Sequence, residues 1–170
     1  MSASAGLRIN EGLRGEPLRR GEVQAFRVAL VAAGLPADDT TATGVQPFRF
    51  ERGLKPVRYG AAEVYAPDVL LRSIVVAADA RGEGVGRTIT EWLLARAAAL
   101  GAVRAFLFTS NARAYFEGLG FEVIDRSRAP QSILTTRQAT GLCPASAVLL
   151  MRAVAPSSRE TPPSGRERKS

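Results

Sequence analysis

Histidine is absent from the 170 residues, and cysteine occurs once, at Cys143. These two shortages exclude an internal disulfide framework, the usual metal-ligand sets and the Ser-His and Cys-His nucleophile pairs. Chemistry is left to carboxylates, tyrosines, the lone thiol and the backbone. Aromatic residues make up only 6% of the chain and are not interleaved with arginine, so the stacking pattern of a nucleic-acid binder is missing despite a net charge of +7. The same positive charge suits an anionic small molecule. No apolar run approaches membrane-spanning length, and "MSASAGLRIN" lacks a basic region followed by an apolar core. The expectation is a cytoplasmic protein with neither a membrane nor a nucleic-acid partner.

What is present is enough for one domain with its own core. Val23, Phe26, Leu30 and Val31 fall at helical spacing and predict a helix over 22–34, stopped by Gly34. The stretch 47–67 reads as two strands around a tight turn near Gly53, and 68–78 as a strand covered on both faces. Val85, Ile89, Trp92, Leu93 and Leu100 predict a helix over 85–101. A second buried strand is expected over 103–110, a short helix capped by Asn111, a strand over 121–128, a helix over 130–140 and a last strand over 146–154. The segment 155–170, "APSSRETPPSGRERKS", has the composition of a disordered tail.

Between strand 68–78 and helix 85–101 lies "ADARGEGVGR". Three glycines there bring loop amides and the free N–H groups of a helix start to one place, which makes an anion site with close backbone access. The Lys-Ser/Thr of a P-loop and the full G-x-G-x-x-G of a dinucleotide fold are both missing. Arginine, two residues, glycine, one residue, glycine instead resembles the pyrophosphate loop of the GNAT acetyltransferases. "SNARAYFEGLGFEVI" (110–124) is similar to the second segment of that family.

The resemblance implies an α/β (α+β) GNAT fold with a central mixed sheet of about six to seven strands flanked by helices, filling residues 1–154. It also implies acetyl-CoA as co-substrate and no metal. Ile74, Val75 and Val76 would pair with the pantetheine arm. Arg81, Gly82, Glu83, Gly84, Val85, Gly86 and Arg87 would hold the pyrophosphate, and Asn111 and Phe116 would lie near the lower arm.

Three further stretches, "LLRSIVVAADARGEGVGR", "FEVIDRSRAPQSILTTRQATGLCPASAVLLMR" and "AAEVY", resemble the small arsenic-resistance N-acetyltransferases, over roughly residues 20–153. That likeness implies a small amine acceptor, arsinothricin, with an α-amino group, a carboxylate and an anionic tail. It leaves a homodimer open.

For the acceptor, Arg72 with Ser73 could bind anions by its bidentate fork, or Arg72 could form a salt bridge to a neighbouring strand. Glu63 interrupts an apolar strand and is the candidate base; an outward-facing residue is the alternative. Many GNAT enzymes carry a tyrosine acid where this chain has Phe116. Tyr115, one residue earlier, is turned by about 100°, so Tyr115, Tyr65 and water all remain candidates for the acid. Cys143, one thiol beside Pro144, makes a poor soft-metalloid site and reads as a packing residue. An acyl-CoA-binding module without turnover remains a competing reading, as does an acetyltransferase for another small amine.

Overall fold

The computed structural model describes residues 12–155, so the tail expected beyond them lies outside the described residues. The elements run β1 (Leu13–Pro17), α1 (Val23–Ala32), β2 (Val45–Arg52), β3 (Lys55–Tyr65), β4 (Asp68–Val76), α2 (Val85–Ala99), β5 (Arg104–Thr109), α3 (Arg113–Glu117), β6 (Glu122–Ile124), α4 (Gln131–Leu134) and β7 (Val148–Ala153). Seven strands form one mixed sheet in the order β1-β2-β3-β4-β5-β7-β6.

One face of the sheet is covered by α2. Its Val85, Ile89, Trp92, Leu93 and Ala97 recur at helical spacing and bury against Phe48, Phe50, Val57, Ala62, Val69 and Leu71. The packing is close enough to dictate glycine in two strands. A Cβ on Gly15 would lie 2.7 Å from the Trp92 ring, and one on Gly60 would lie 3.0 Å from Leu93. Gly15 is also why β1 was not expected: "LRGEP" holds a glycine, a proline and two charges, and pairing with β2 overrides that poor propensity.

The opposite face is covered in two separate patches. Phe26 and Leu30 of α1 pack on Tyr59 and Val75, while Ile133 of α4 packs on Leu70, Phe106, Ile124 and Leu149. Val31, expected on the buried face of α1, is 67% exposed because α1 presents only a narrow stripe to the sheet. The sheet between the two patches carries the site.

Two expected elements are shorter, and one expected cap is not made. The strand over 121–128 is limited to β6, after which Asp125 caps a 3-10 turn by accepting from the Ser127 amide at 2.8 Å. The helix over 130–140 breaks into α4 and a single π-helical turn at Gln138–Leu142. Asn111 does not cap α3; Ala112 precedes that helix, and its amide donates to Thr109 Oγ1 at 3.0 Å.

Candidate active site

Parallel strands β4 and β5 pair only over Asp68–Leu70 and Arg104–Phe106, then separate. The β5-facing edge of β4 beyond Leu70 therefore has no strand ladder, although β4 stays paired with β3 as far as Val76. The separation coincides with a bulge. Ala61 pairs with Arg72 and Tyr59 with Val75, so three steps along β4 match two along β3. Ser73 occupies the bulge with φ +58°, a left-handed conformation that costs a non-glycine residue energy and is held here by the ladder on either side.

A cleft of about 260 Å³ fills the opening, lined by Ser73 to Val76 of β4, Leu107 to Thr109 of β5, Asn111, Phe116 and Arg81. It leads to the start of α2. Gly82 and Gly84 there have φ of +79° and +75°, and a Cβ on either would meet no atom within 4 Å. Backbone conformation, not crowding, demands glycine, and the space outside is open to a ligand. The first α2 amide bonded back is that of Thr88, to Gly84, so the amides before it are available to an anion. Arg81, Gly82, Glu83, Gly84 and Arg87 are exposed around this point, with Val85 and Gly86 buried beneath. Glu83 pairs with Arg52 across the rim.

A second cavity, about 460 Å³, opens on the α1 side, lined by Gly34, Leu35, Pro36, Phe108, Thr109, Ser110, Asn111, Gln138, Cys143 and Pro144. Arg72 and Ser73 belong to the walls of both spaces, so the two meet over the β4 bulge.

Beneath that meeting point Arg72 is fully enclosed, its side chain 0% exposed. Its Nη1 donates to Asp39 Oδ2 at 2.6 Å and to Glu63 Oε2 at 3.1 Å, Nη2 donates to Asp39 Oδ1, and Nε donates to Ser73 Oγ at 3.3 Å. The fork offered to acceptor anions is thus spent on Asp39, and of the two readings of Arg72 the ion pair is the one realised. Burial works against its charge, but Asp39 and Glu63 outweigh that and hold its pKa above the ordinary arginine value.

Glu63 is buried, not outward-facing. It accepts from Tyr65 Oη at 2.6 Å as well as from Arg72, and it lies behind Arg72, outside the residues that wall the two spaces. Burial first, and then the bond to Glu63, raises the Tyr65 pKa well above that of a free phenol. Tyr65 therefore stays a donor to Glu63.

Tyr115 lies outside the residues that line the cleft. Phe116 faces the cleft, whereas Tyr115 is 47% exposed and sets its hydroxyl against Gly86 at the start of α2. One helical step separates the two directions. Tyr115→Phe is accordingly expected to keep kcat within about twofold; a loss of about a hundredfold, the range of general acid catalysis, would restore Tyr115 as the acid.

Cys143 is half-buried on the cavity wall, where its Sγ donates to Gln138 Oε1 at 3.6 Å. Burial pushes its thiol pKa up, against the pull of Arg72 and Arg126. Alkylation by iodoacetamide should therefore accelerate only at higher pH than for free cysteine; acceleration at lower pH would contradict this environment. Among the described residues no group of His, Cys, Asp and Glu could hold a metal ion, and no helix is long and apolar enough to cross a membrane.

The acetyltransferase (GNAT) domain profile matches residues 48–123, the span from β2 through the splay and the glycine loop into β6. This segment is a GNAT acetyltransferase domain. No curated protein sequence matches the chain. Solved structures do. N-acetylglutamate synthase from Neisseria gonorrhoeae, complexed with coenzyme A and N-acetyl-glutamate, superposes with a TM-score of 0.69 at 14% identity, over 84% of this chain and 35% of that one. The chain thus spans about a third of that synthase. A GNAT-family acetyltransferase from Staphylococcus aureus superposes with a TM-score of 0.67 at 12% identity, over 84% of this chain and 99% of that one. Nourseothricin acetyltransferase gives 0.59 at 16%, over 85% and 99%. At these identities the likeness establishes the GNAT fold, including the seven-stranded mixed sheet.

Proposed function

We propose that the chain is an acetyl-CoA-dependent N-acetyltransferase acting on the α-amino group of a small amino-acid-like acceptor, arsinothricin by its sequence likeness. The observation that carries acetyl transfer is the continuity of three features. An open β4 edge, a glycine loop at a helix start and a separate cavity all meet over the Ser73 bulge. The arsenical rests on the resemblance of residues 61–65, 70–87 and 121–152 to the arsenic-resistance acetyltransferases.

Acetyl-CoA, when bound, supplies the thioester. The β4 amides of residues 74–76 would hold its arm, and one of them would donate to the carbonyl oxygen as negative charge builds there. Residues 81–87 would hold the pyrophosphate, and Phe116 and Asn111 would wall the arm between. The amine would enter from the α1 side, past Gly34 to Pro36. Two carboxylates share the single Arg72 guanidinium under that cavity, which favours a cationic amine above them. Glu63, reached through water, would take the amine proton, and water would protonate the departing thiolate. Residues 1–154 would act as one domain in the cytoplasm, alone or as a homodimer, without nucleic acid.

A second reading, an acetyltransferase for another small amine, is favoured by the enclosure of Arg72, which leaves no free cation among the described cavity walls. Thiol release from acetyl-CoA, with arsinothricin, phosphinothricin and glutamate offered side by side, separates the two. Turnover selective for arsinothricin is expected. Turnover with phosphinothricin or glutamate and none with arsinothricin would favour the second reading, and acetyl-CoA binding without turnover would point to a binding module.

A further inference from the structure

The acceptor-side cavity contains a polar side chain that neither the fold nor the acetyl-CoA cleft uses. Gln138 lines the cavity and is only 4% exposed. Its Oε1 accepts from the Cys143 thiol at 3.6 Å, while no described residue accepts from its Nε2. Nε2 is not among the buried atoms without a partner, so its two N–H donors are open to the cavity and to a ligand there.

The segment that bears Gln138 is pinned. It begins the π-helical turn Gln138–Leu142, a geometry that recurs at functional sites, and its carbonyl accepts from the Cys143 amide at 3.1 Å. Arg126 reaches across to donate to the carbonyls of Ala139 at 3.4 Å and Ala147 at 3.3 Å, and its guanidinium lies 5.1 Å from the ring centroid of Phe108, another cavity wall. Thr136 Oγ1 accepts from the Ala139 amide at 3.3 Å. The turn is held at three points, at the Gln138 carbonyl and at the carbonyl and amide of Ala139, so its backbone is set before any ligand arrives.

The electrostatics narrow what Gln138 can meet. Arg72 is the sole formally charged residue among the described cavity walls, and its fork is taken by Asp39 and Glu63. An oxygen of the acceptor must therefore be bound by neutral donors. Two of those donors are buried: Ser73, whose Oγ accepts from Arg72 Nε, and Gln138, whose Oε1 accepts from Cys143 and whose Nε2 carries two N–H groups.

We propose that Gln138 is the specificity residue for the acceptor, selecting a primary amine whose body carries a carboxylate or other oxyanion and binding that oxygen through Nε2, with Cys143 as the positioning residue that fixes the amide. The assignment rests on the acetyl-transfer reading above and names how that same site chooses its substrate. Gln138→Glu keeps the size but turns the donor into an anion, and Gln138→Leu removes the donor.

The test is thiol release by the full chain with arsinothricin, L-glutamate and butylamine as acceptors, for wild type and both variants. Gln138→Glu should raise KM for the oxyanion-bearing amines at least about tenfold, the scale of one hydrogen bond to a charged group, with kcat and the acetyl-CoA KM held within about threefold and butylamine not weakened. An unchanged KM for those amines, or an equal loss with butylamine, would overturn the proposal. If wild type turns over none of the three, the acetyl-transfer reading fails separately, and side-chain amide NMR decides this one. In protein saturated with coenzyme A, the Gln138 Nε2 protons should shift on titration with arsinothricin or glutamate and not with butylamine; no shift with either oxyanion would overturn it. The same titration serves if a variant does not fold.

Discussion

Replacing Arg72 by alanine should destabilise the fold by about 3–5 kcal/mol, the range for removing one partner of a buried ion pair. Two buried carboxylates, Asp39 and Glu63, would lose their shared guanidinium. Asp39 comes from the turn-rich stretch after α1 and Arg72 from the centre of the sheet, so the pair also ties that stretch to β4. Urea unfolding of the variant measures the loss. The double variant Arg72→Met with Asp39→Leu should recover part of it, because it removes one of the two uncompensated charges and leaves Glu63 with only its bond from Tyr65. If Arg72→Ala were as stable as wild type and raised only the acceptor KM, the guanidinium would be a substrate ligand and not a structural cation.

The second large effect is expected at Gly84→Val. Its φ of +75° makes a β-branched residue unfavourable by about 1–2 kcal/mol, a cost the fold can absorb since a Cβ there meets no atom within 4 Å. The side chain would stand in the open space before the amides of α2, where the account puts the pyrophosphate. Calorimetric titration should therefore show acetyl-CoA binding weakened by about a hundredfold or more, the scale of losing several charge-assisted hydrogen bonds, with the unfolding midpoint only modestly lowered. Binding unchanged in a folded Gly84→Val protein would remove the anion from this loop.

The parts of the site that were legible in the sequence are those set by local backbone chemistry. An apolar strand running through three glycines into a helix leaves few arrangements, and Gly82 and Gly84 take the left-handed conformations that make glycine necessary. The turn at Gly53 was legible for the same reason, its φ being +62°.

What was not legible depends on residues brought together from a distance. Asp39 lies between α1 and β2, and nothing local says that a strand arginine 33 positions later will claim it. The isolated arginine in an apolar strand did say that something anionic should meet it, which left Arg72 two readings, an acceptor anion or a salt bridge to a neighbouring strand. Gln138 was hidden inside an apparent helix. The break into α4 and a π-helical turn goes with the bond from Arg126 to the Ala139 carbonyl, a contact from outside the segment that no periodicity encodes. Tyr115 was placed correctly on a short helix, and the helical step separating it from Phe116 sufficed to deny it the cleft.

The most direct test of the account is amide hydrogen exchange of the chain with and without acetyl-CoA. The open edge of β4 and the start of α2 should gain protection together, over residues 71–76 and 82–87, while β1, β2 and β6 stay unchanged. Protection that appeared elsewhere, or failed to appear in these two segments at saturating acetyl-CoA, would contradict a co-substrate lying in the splay between β4 and β5.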